Sequence, residues 1–276
     1  MILRRLVVPA FIGGMVLFLV APILVVIPMS FTAGNAMDWP PQGFSLRWYS
    51  TIFTDPEWTS RIPVSVQVGV GSAFSATMLG TLAALGTTRG RFRGKGLVTA
   101  LFLAPLVVPV VALGLGVYFT WALGWHIGPI GFGGGLLGSV PGLILAHTVL
   151  GLPYPYVTVM TSLRGVDPNL DLAAASLGAP PWRTFFSVTL PLISPGIISG
   201  AVFAFLVSWD EVVIATFLSS PRTSTVPVEV YAQVRDSISP AAAAISCVLL
   251  LVSVVLIAAV GLLSKKRGQS STSSKK

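Results

Sequence analysis

Charge is what this 276-residue sequence has least of: Asp, Glu, Lys and Arg make up 9% of it, where soluble domains carry about 25%. That deficit, with a mean hydropathy of +0.86, excludes an ordinary water-soluble enzyme. A hydrophobic content of 54% equally excludes disorder, which needs a chain too polar to collapse. Cysteine is almost absent. Cys247, alone in an apolar run, closes no internal disulfide and has no neighbour at metal-ligand spacing, so it reads as packing. His126, in a glycine-rich loop, and His147, in an apolar stretch, stand too far apart to make a metal site. No Gly-x-x-x-x-Gly-Lys-Ser/Thr phosphate loop occurs, and Gly114-x-Gly116 lacks the strand and the acid of a dinucleotide site.

What the sequence has instead is long apolar runs. A bilayer core about 30 Å thick takes about 20 helical residues to cross. Six stretches qualify: Leu6–Phe31, Val64–Thr87, Leu97–Leu123, Leu136–Leu163, Ile197–Leu218 and Ala241–Leu263. The first follows Arg4 and Arg5, as a secretory signal would. Its apolar run is longer than the 7–15 residues of a signal core, so we read a retained span. The expected fold is all-α, a polytopic membrane protein of six transmembrane helices. It divides into a first span with its outer loop (1–61), a core of five spans (62–263) carrying a polar loop at 164–195, and a short tail (264–276). The 28 glycines and 21 prolines are compatible with membrane helices whose neighbours satisfy the freed backbone. Gly196-x-x-x-Gly200 has the spacing of a close helix approach. Gly133–Gly135 reads as a turn between spans.

A net charge of +8 and a pI near 10.2 suggest nucleic acid until the charges are placed. With the N-terminus inside and six crossings, the inner segments hold Arg4, Arg5, Arg89, Arg91, Arg93, Lys95, Arg164, Arg183, Lys265, Lys266, Arg267, Lys275 and Lys276. That is 13 of the 17 basic residues. Only Arg47, Arg61, Arg222 and Arg235 fall outside. The excess is a topology signal that puts both termini in the cytoplasm and calls for no nucleic acid. The Ser- and Lys-rich tail reads as a solvated end beside anionic lipid.

The inner loop between the fourth and fifth spans is too polar to cross and too patterned to be a linker. Asp167-Pro168 is a helix start. Leu170, Ala173, Ala174 and Leu177 follow at the spacing of one apolar helical face, and Gly178 is a C-terminal stop. Pro180-Pro181 opens a second short helix with Trp182, Phe185 and Phe186 on one side, closed by Leu190-Pro191 and Pro195. Two readings fit: both helices lie flat on lipid headgroups, or the first is a knob for a groove on a partner.

The segment LDLAAASLGAPPWRTFFSVTLP (Leu170–Pro191) resembles the signature of the integral membrane permeases of bacterial ABC importers. That signature reads Glu-Ala-Ala, three residues, Gly, nine residues, an aliphatic residue, one residue, Leu-Pro. Ala173, Ala174, Gly178, Val188, Leu190 and Pro191 match in register. Leu172 stands where the glutamate belongs, with Asp171 one position earlier. The resemblance covers about Ile62 to Leu263. It implies a type I importer permease whose coupling helix, Leu170–Gly178, enters a cleft of a cytoplasmic ATPase. The coupling residues it implies are Asp171, Ala173, Ala174, Leu177, Gly178 and Ala179. It also implies an ATPase dimer on separate chains, which would bind the ATP and magnesium, since this chain is expected to carry no cofactor. A second permease subunit and an extracytoplasmic binding protein complete the implied assembly in the bacterial inner membrane.

Asp210 and Glu211 fall inside the fifth span, where an acid costs about 2.5–3.5 kcal/mol and is functional by default. Asp210 is about 20 Å from the inner end at 1.5 Å per residue. Adjacent helical residues differ by about 100°, so one acid can face a water-filled path while the other faces a neighbouring helix. A structural pair bonded to Ser, Thr or another subunit fits as well. Trp209 is placed for a cation–π contact. The stretch SWDEVVIATFLSSP (Ser208–Pro221) and the outer-loop stretch FSLRWYSTIFTDPEW (Phe44–Trp58) resemble putrescine/spermidine importer permeases. Val64-Ser65-Val66 departs from the Asn-Ser-Leu usual there. The resemblance implies a polyamine cargo and a second permease chain different from this one. Acids and aromatics suit a chain of ammonium groups and repel sulfate, phosphate or molybdate. A cationic or neutral small solute is the alternative. Pro153-Tyr154-Pro155-Tyr156 breaks the fourth span. Broken helices line transport paths, which adds Tyr154 and Tyr156 as pathway candidates beside a plain kink. An intramembrane enzyme would need a nucleophile with a base or clustered ligands, and Ser208 has no histidine at helical spacing.

Overall fold

The structure is a computed structural model that describes residues 2–127, 130–132, 134–236 and 239–273. Gly133 of the expected turn, and Lys275 and Lys276 of the tail, lie outside the described residues. In chain order the helices are α1 (Ile2–Ser30), α2 (Arg47–Thr54), α3 (Pro56–Arg89), α4 (Lys95–Leu103) and α5 (Val110–Leu123). A short antiparallel hairpin follows, β1 (Trp125–Ile127) and β2 (Ile130–Phe132). Then come α6 (Val140–Gly151), α7 (Pro153–Arg164), α8 (Asn169–Ser176), α9 (Pro181–Thr184), α10 (Leu190–Trp209), α11 (Val213–Leu218), α12 (Val226–Asp236) and α13 (Pro240–Ser273). The fold is helical, as expected, apart from the hairpin in the glycine-rich loop.

Among the described residues, four stretches are single helices long and apolar enough to cross a membrane: Val8–Ser30, Pro56–Arg89, Pro181–Trp209 and Pro240–Leu262. Two bent helix pairs are long and apolar enough when taken together, which brings the number to six if each pair is one span. The fourth expected span is α6 and α7, bent by 44° where Pro153 opens α7. The third is not one helix. Lys95–Leu106 and Val110–Leu123 meet at 105°. Pro109 is the N-cap of α5; it has no N–H to continue the helix, and a proline disfavours helical conformation in the residue before it.

The second short helix of the inner loop also differs from expectation. It does not close at Pro191. α9 runs through a π-turn at Phe185–Thr189 into α10, giving one 29-residue stretch, Pro181–Trp209. The N–H of Leu190 reaches back to Phe185 O across the wider turn. Local π adjustment is how membrane helices keep proline, whose ring takes away a donor.

By contacts the chain forms two compact units, Met1–Thr59 with Glu229–Val252, and Ser60–Val228 with Ser253–Lys276. In the first, the end of α1 is tied to α2: Ser30 Oγ and the Tyr49 hydroxyl lie 2.7 Å apart, and Trp48 Nε1 donates to Thr32 O at 3.0 Å. Ile52 and Trp58 are buried there.

In the second unit, small residues decide which helices touch. A side chain on Gly200 would strike the Pro155 backbone and Thr158 of α7, and one on Gly196 would strike Ser162. The Gly196/Gly200 spacing is therefore a real close approach of α10 to α7. Gly151 faces Ala76 of α3 and Ala204 of α10, and Gly80 of α3 meets Pro155 and Tyr156. Larger side chains fill the space around this seam. Val64, Val68, Leu143, Ala146, Ile214, Ala215 and Leu218 form one buried cluster. Ala84, Tyr156, Val159, Leu163 and Ile193 form another.

Candidate functional site

The fifth span breaks at its acids. α10 ends at Trp209, and Asp210 is its C-cap. Short polar side chains compete with the helix for backbone groups, and Glu211 does so directly. Its Oε1 accepts the Ile214 N–H at 2.8 Å and its Oε2 the Ala215 N–H at 2.9 Å. The carboxylate thereby caps the first turn of α11, satisfying donors that a helix start leaves free. Glu211 is buried, and the His147 ring on α6 lies against it. His147 Nε2 is 3.6 Å from Glu211 Oε2, while His147 Nδ1 and Ser208 Oγ share a 2.7 Å hydrogen bond. The two acids thus have different surroundings. Glu211 holds the break together from inside.

Asp210 is exposed. It opens onto a cleft of about 540 Å³ lined also by Phe203, Leu206, Val207, Val212, Val213 and the edge of the mostly buried Glu211. The Tyr154 ring stacks on Phe203, centroids 6.4 Å apart, which puts Tyr154 behind a cleft wall. The other two aromatic candidates lie elsewhere. Trp209 is buried, stacked on Phe205 at 5.3 Å, so its ring face is taken by the interior. Tyr156 is fully buried, its hydroxyl 3.1 Å from Thr87 Oγ1 and 2.7 Å from Thr99 Oγ1. It ties α7 to α3 and α4 and does not line the cleft.

The inner loop forms the expected helix and stop. α8 closes with paired backbone bonds, Gly178 N–H to Ala175 O at 2.9 Å and Ala179 N–H to Ala174 O at 3.0 Å. This is the Schellman arrangement, and it places its left-handed residue at Gly178, φ +77°. No residue of α8 is buried. Leu172 is 66% and Leu177 88% exposed, and Ala173 is exposed as well, while Ala174 and Ala179 are half-covered. Apolar side chains held out in this way are surface awaiting a partner or lipid. Asp171 behaves differently. Its Oδ2 is 2.7 Å from Arg89 Nη1 at the end of α3.

Sequence reading missed His147 as the neighbour of Glu211 and Ser208 as the partner of His147, and Arg89 and Thr189 as partners of Asp171. The signal for the first pair was present, because isolated polar residues in apolar runs must find each other. Which ones meet depends on how the helices pack. Ser65, in the stretch that departs from the related permeases, accepts the Val226 N–H at 2.8 Å and so caps α12. Among the described residues no group of three or more His, Cys, Asp or Glu is placed to hold a metal ion.

Comparison with known proteins places this architecture. Residues 76–269 match the family described as binding-protein-dependent transport system inner membrane component. The putrescine transport system permease protein PotI of Escherichia coli (strain K12) is 35% identical over 84% of this chain and 82% of its own length. The spermidine/putrescine transport system permease protein PotC of the same strain is 30% identical over 97% of both. In the solved structures, the fold matches a chain of a bacterial ABC transporter involved in the import of the acidic polysaccharide alginate. The TM-score is 0.74 at 17% identity, covering 96% of this chain and 95% of that one. The family match, the two relatives and the shared helical fold agree, and the chain belongs to the family of binding-protein-dependent transport system inner membrane components.

Proposed function

We propose that this chain is one of two different permease subunits of an ATP-driven polyamine importer. Both termini are cytoplasmic, ATP is hydrolysed by a separate ATPase dimer that docks on α8, and an extracytoplasmic binding protein delivers the cargo. The observation that carries the substrate class is Asp210, an exposed carboxylate at a break in a membrane helix, set among apolar walls. A polyamine alternates ammonium groups with methylene runs, so a carboxylate flanked by Phe203, Leu206 and Val207 complements both parts of it. The names of PotI and PotC support the same class. The 13-to-4 distribution of basic residues supports the orientation, which puts α8 on the cytoplasmic side. Within the site, Asp210 meets the cargo, Tyr154 backs the Phe203 wall, and Glu211 keeps the break in shape.

The test is uptake of labelled putrescine, spermidine and molybdate by cells with and without this chain, companion subunits present. Saturable polyamine uptake is lost on deletion, and molybdate uptake is not. Unchanged polyamine uptake on deletion refutes the substrate class. An Asp210→Asn variant of normal abundance takes up polyamine more slowly, and wild-type rates in it remove Asp210 from the pathway.

A further inference from the structure

Arg89, Asp171 and Thr189 come from three separate parts of the sequence and close a triangle. Arg89 is the last residue of α3, Asp171 lies in the first turn of α8, and Thr189 ends the π-turn that leads into α10. Arg89 Nη1 is 2.7 Å from Asp171 Oδ2 and donates to Thr189 Oγ1 at 3.2 Å. Thr189 Oγ1 in turn donates to Asp171 Oδ1 at 3.3 Å. Thr189 is fully buried, so it is a fixed point, whereas the Arg89 and Asp171 side chains are about one-third exposed. Beside the triangle is a pocket of about 290 Å³ lined by Ala175, Ala179, Thr184 and Phe185.

α8 has no buried residue, so apolar packing does not set its position. Its polar anchor to the rest of the chain is this triangle. From this geometry we infer that Asp171 acts within its own chain: with Arg89 and Thr189 it is a positioning residue that locks the docking helix to the end of α3 and to the π-turn below α10. A push on α8 is then delivered to both helices. The resemblance of the loop implied that Asp171 belongs to the surface offered to the ATPase. The triangle turns it inward and leaves that surface to Leu172, Ala173 and Leu177. The inference rests on the importer reading above, because only in a working importer does α8 have something to transmit.

The test uses the whole complex in proteoliposomes, with putrescine transport and ATP hydrolysis read in the same vesicles. Arg89→Ala and Asp171→Asn each still copurify with the ATPase. Each moves about fivefold less putrescine per ATP, the low end of a coupling factor because the ion pair is partly in water. Exchanging the pair, Arg89→Asp with Asp171→Arg, recovers most of the ratio that either single charge reversal loses. A merely structural role would lower the amount of complex without changing solute per ATP. A wild-type ratio in Arg89→Ala overturns the inference. So does an exchanged pair no better than Asp171→Arg alone, or loss of ATPase binding in Asp171→Asn but not in Arg89→Ala. A wrong cargo shows in the wild type itself, as ATP hydrolysis without putrescine movement. The same variants are then read by the ratio of binding-protein-stimulated to basal ATP hydrolysis, with the same expectations.

Discussion

Replacing the two adjacent acids one at a time separates a cargo group from a structural one. Glu211 gives one carboxylate oxygen to each of two buried N–H groups, at 2.8 Å and 2.9 Å, and Ile214 and Ala215 are themselves fully buried. In Glu211→Ala both donors lose their acceptor. A buried donor left unpaired costs about 1–3 kcal/mol, so two cost about 2–6 kcal/mol. At about 2–4 °C per kcal/mol for a chain of this size, the melting temperature falls by at least about 4 °C. Glu211→Gln keeps one acceptor oxygen and turns an amide N–H2 toward the other donor, so its loss is smaller but not zero. Asp210→Asn changes an exposed group, and such substitutions stay within about 0.5 kcal/mol. The assay is thermal unfolding of the purified complex, alongside uptake corrected for abundance. The expected stability order is Asp210→Asn, Glu211→Gln, Glu211→Ala, from most to least stable, with uptake per molecule impaired in the first. A Glu211→Ala protein that melts with the wild type refutes the capping role. An Asp210→Asn protein less stable than Glu211→Gln refutes the division of labour.

Three further outcomes are expected. Gly200→Leu drives a side chain into the Pro155 backbone and separates α7 from α10, so membrane abundance in immunoblots falls severely, the cost of overpacking being about 1–3 kcal/mol or more. Tyr156→Phe removes a hydroxyl shared by Thr87 and Thr99; Thr87 keeps its bond to Ala83 O, so the cost is about 0.5–1.5 kcal/mol in unfolding experiments and uptake per folded molecule is unchanged. Gly178→Val finds open space around its side chain but must hold φ +77°, at about 1–2 kcal/mol. It disturbs the end of α8, lowering solute moved per ATP while the protein still inserts.

The six crossings, the kink at Pro153 and the stop at Gly178 were legible because each follows from local chemistry: apolar length, a missing N–H, a left-handed residue. The 105° break beside Pro109 was not, although Pro105 and Pro109 stood in plain sight. Proline announces that a helix can bend and says nothing of the angle. The π-turn at Phe185–Thr189 was misread for the opposite reason. Pro191 and Pro195 look like terminators, and here the helix passes through them. In the site, different surroundings for Asp210 and Glu211 were expected from helical geometry, but both acids lie in the break between α10 and α11, and it is the break that separates them. Which acid turns inward does not follow from that geometry, since it depends on His147 of α6, itself held by Ser208, packing against the break. Trp209 and Tyr156 were read as pathway residues because aromatic rings serve in cores and paths alike, and only packing tells the two apart.

The continuity of Pro181–Trp209 gives the proposed importer its mechanics. A helix of 29 residues is about 43 Å long at 1.5 Å per residue. One end carries the proline corner that follows α8, and the other carries the break where Asp210 meets the cleft. Between them Gly196 and Gly200 hold α10 against α7, and a close-packed helix pair moves as a body rather than bending. α7 begins at the Pro153 kink and its Tyr154 stacks on the Phe203 wall of the cleft. A displacement applied at α8 therefore reaches the acid and the wall together. Had the helix ended at Pro191, as its sequence suggested, the docking loop and the intramembrane acid would belong to separately hinged elements. With the helix unbroken, the proposed importer would join motion of α8 and exposure of Asp210 as two ends of one movement.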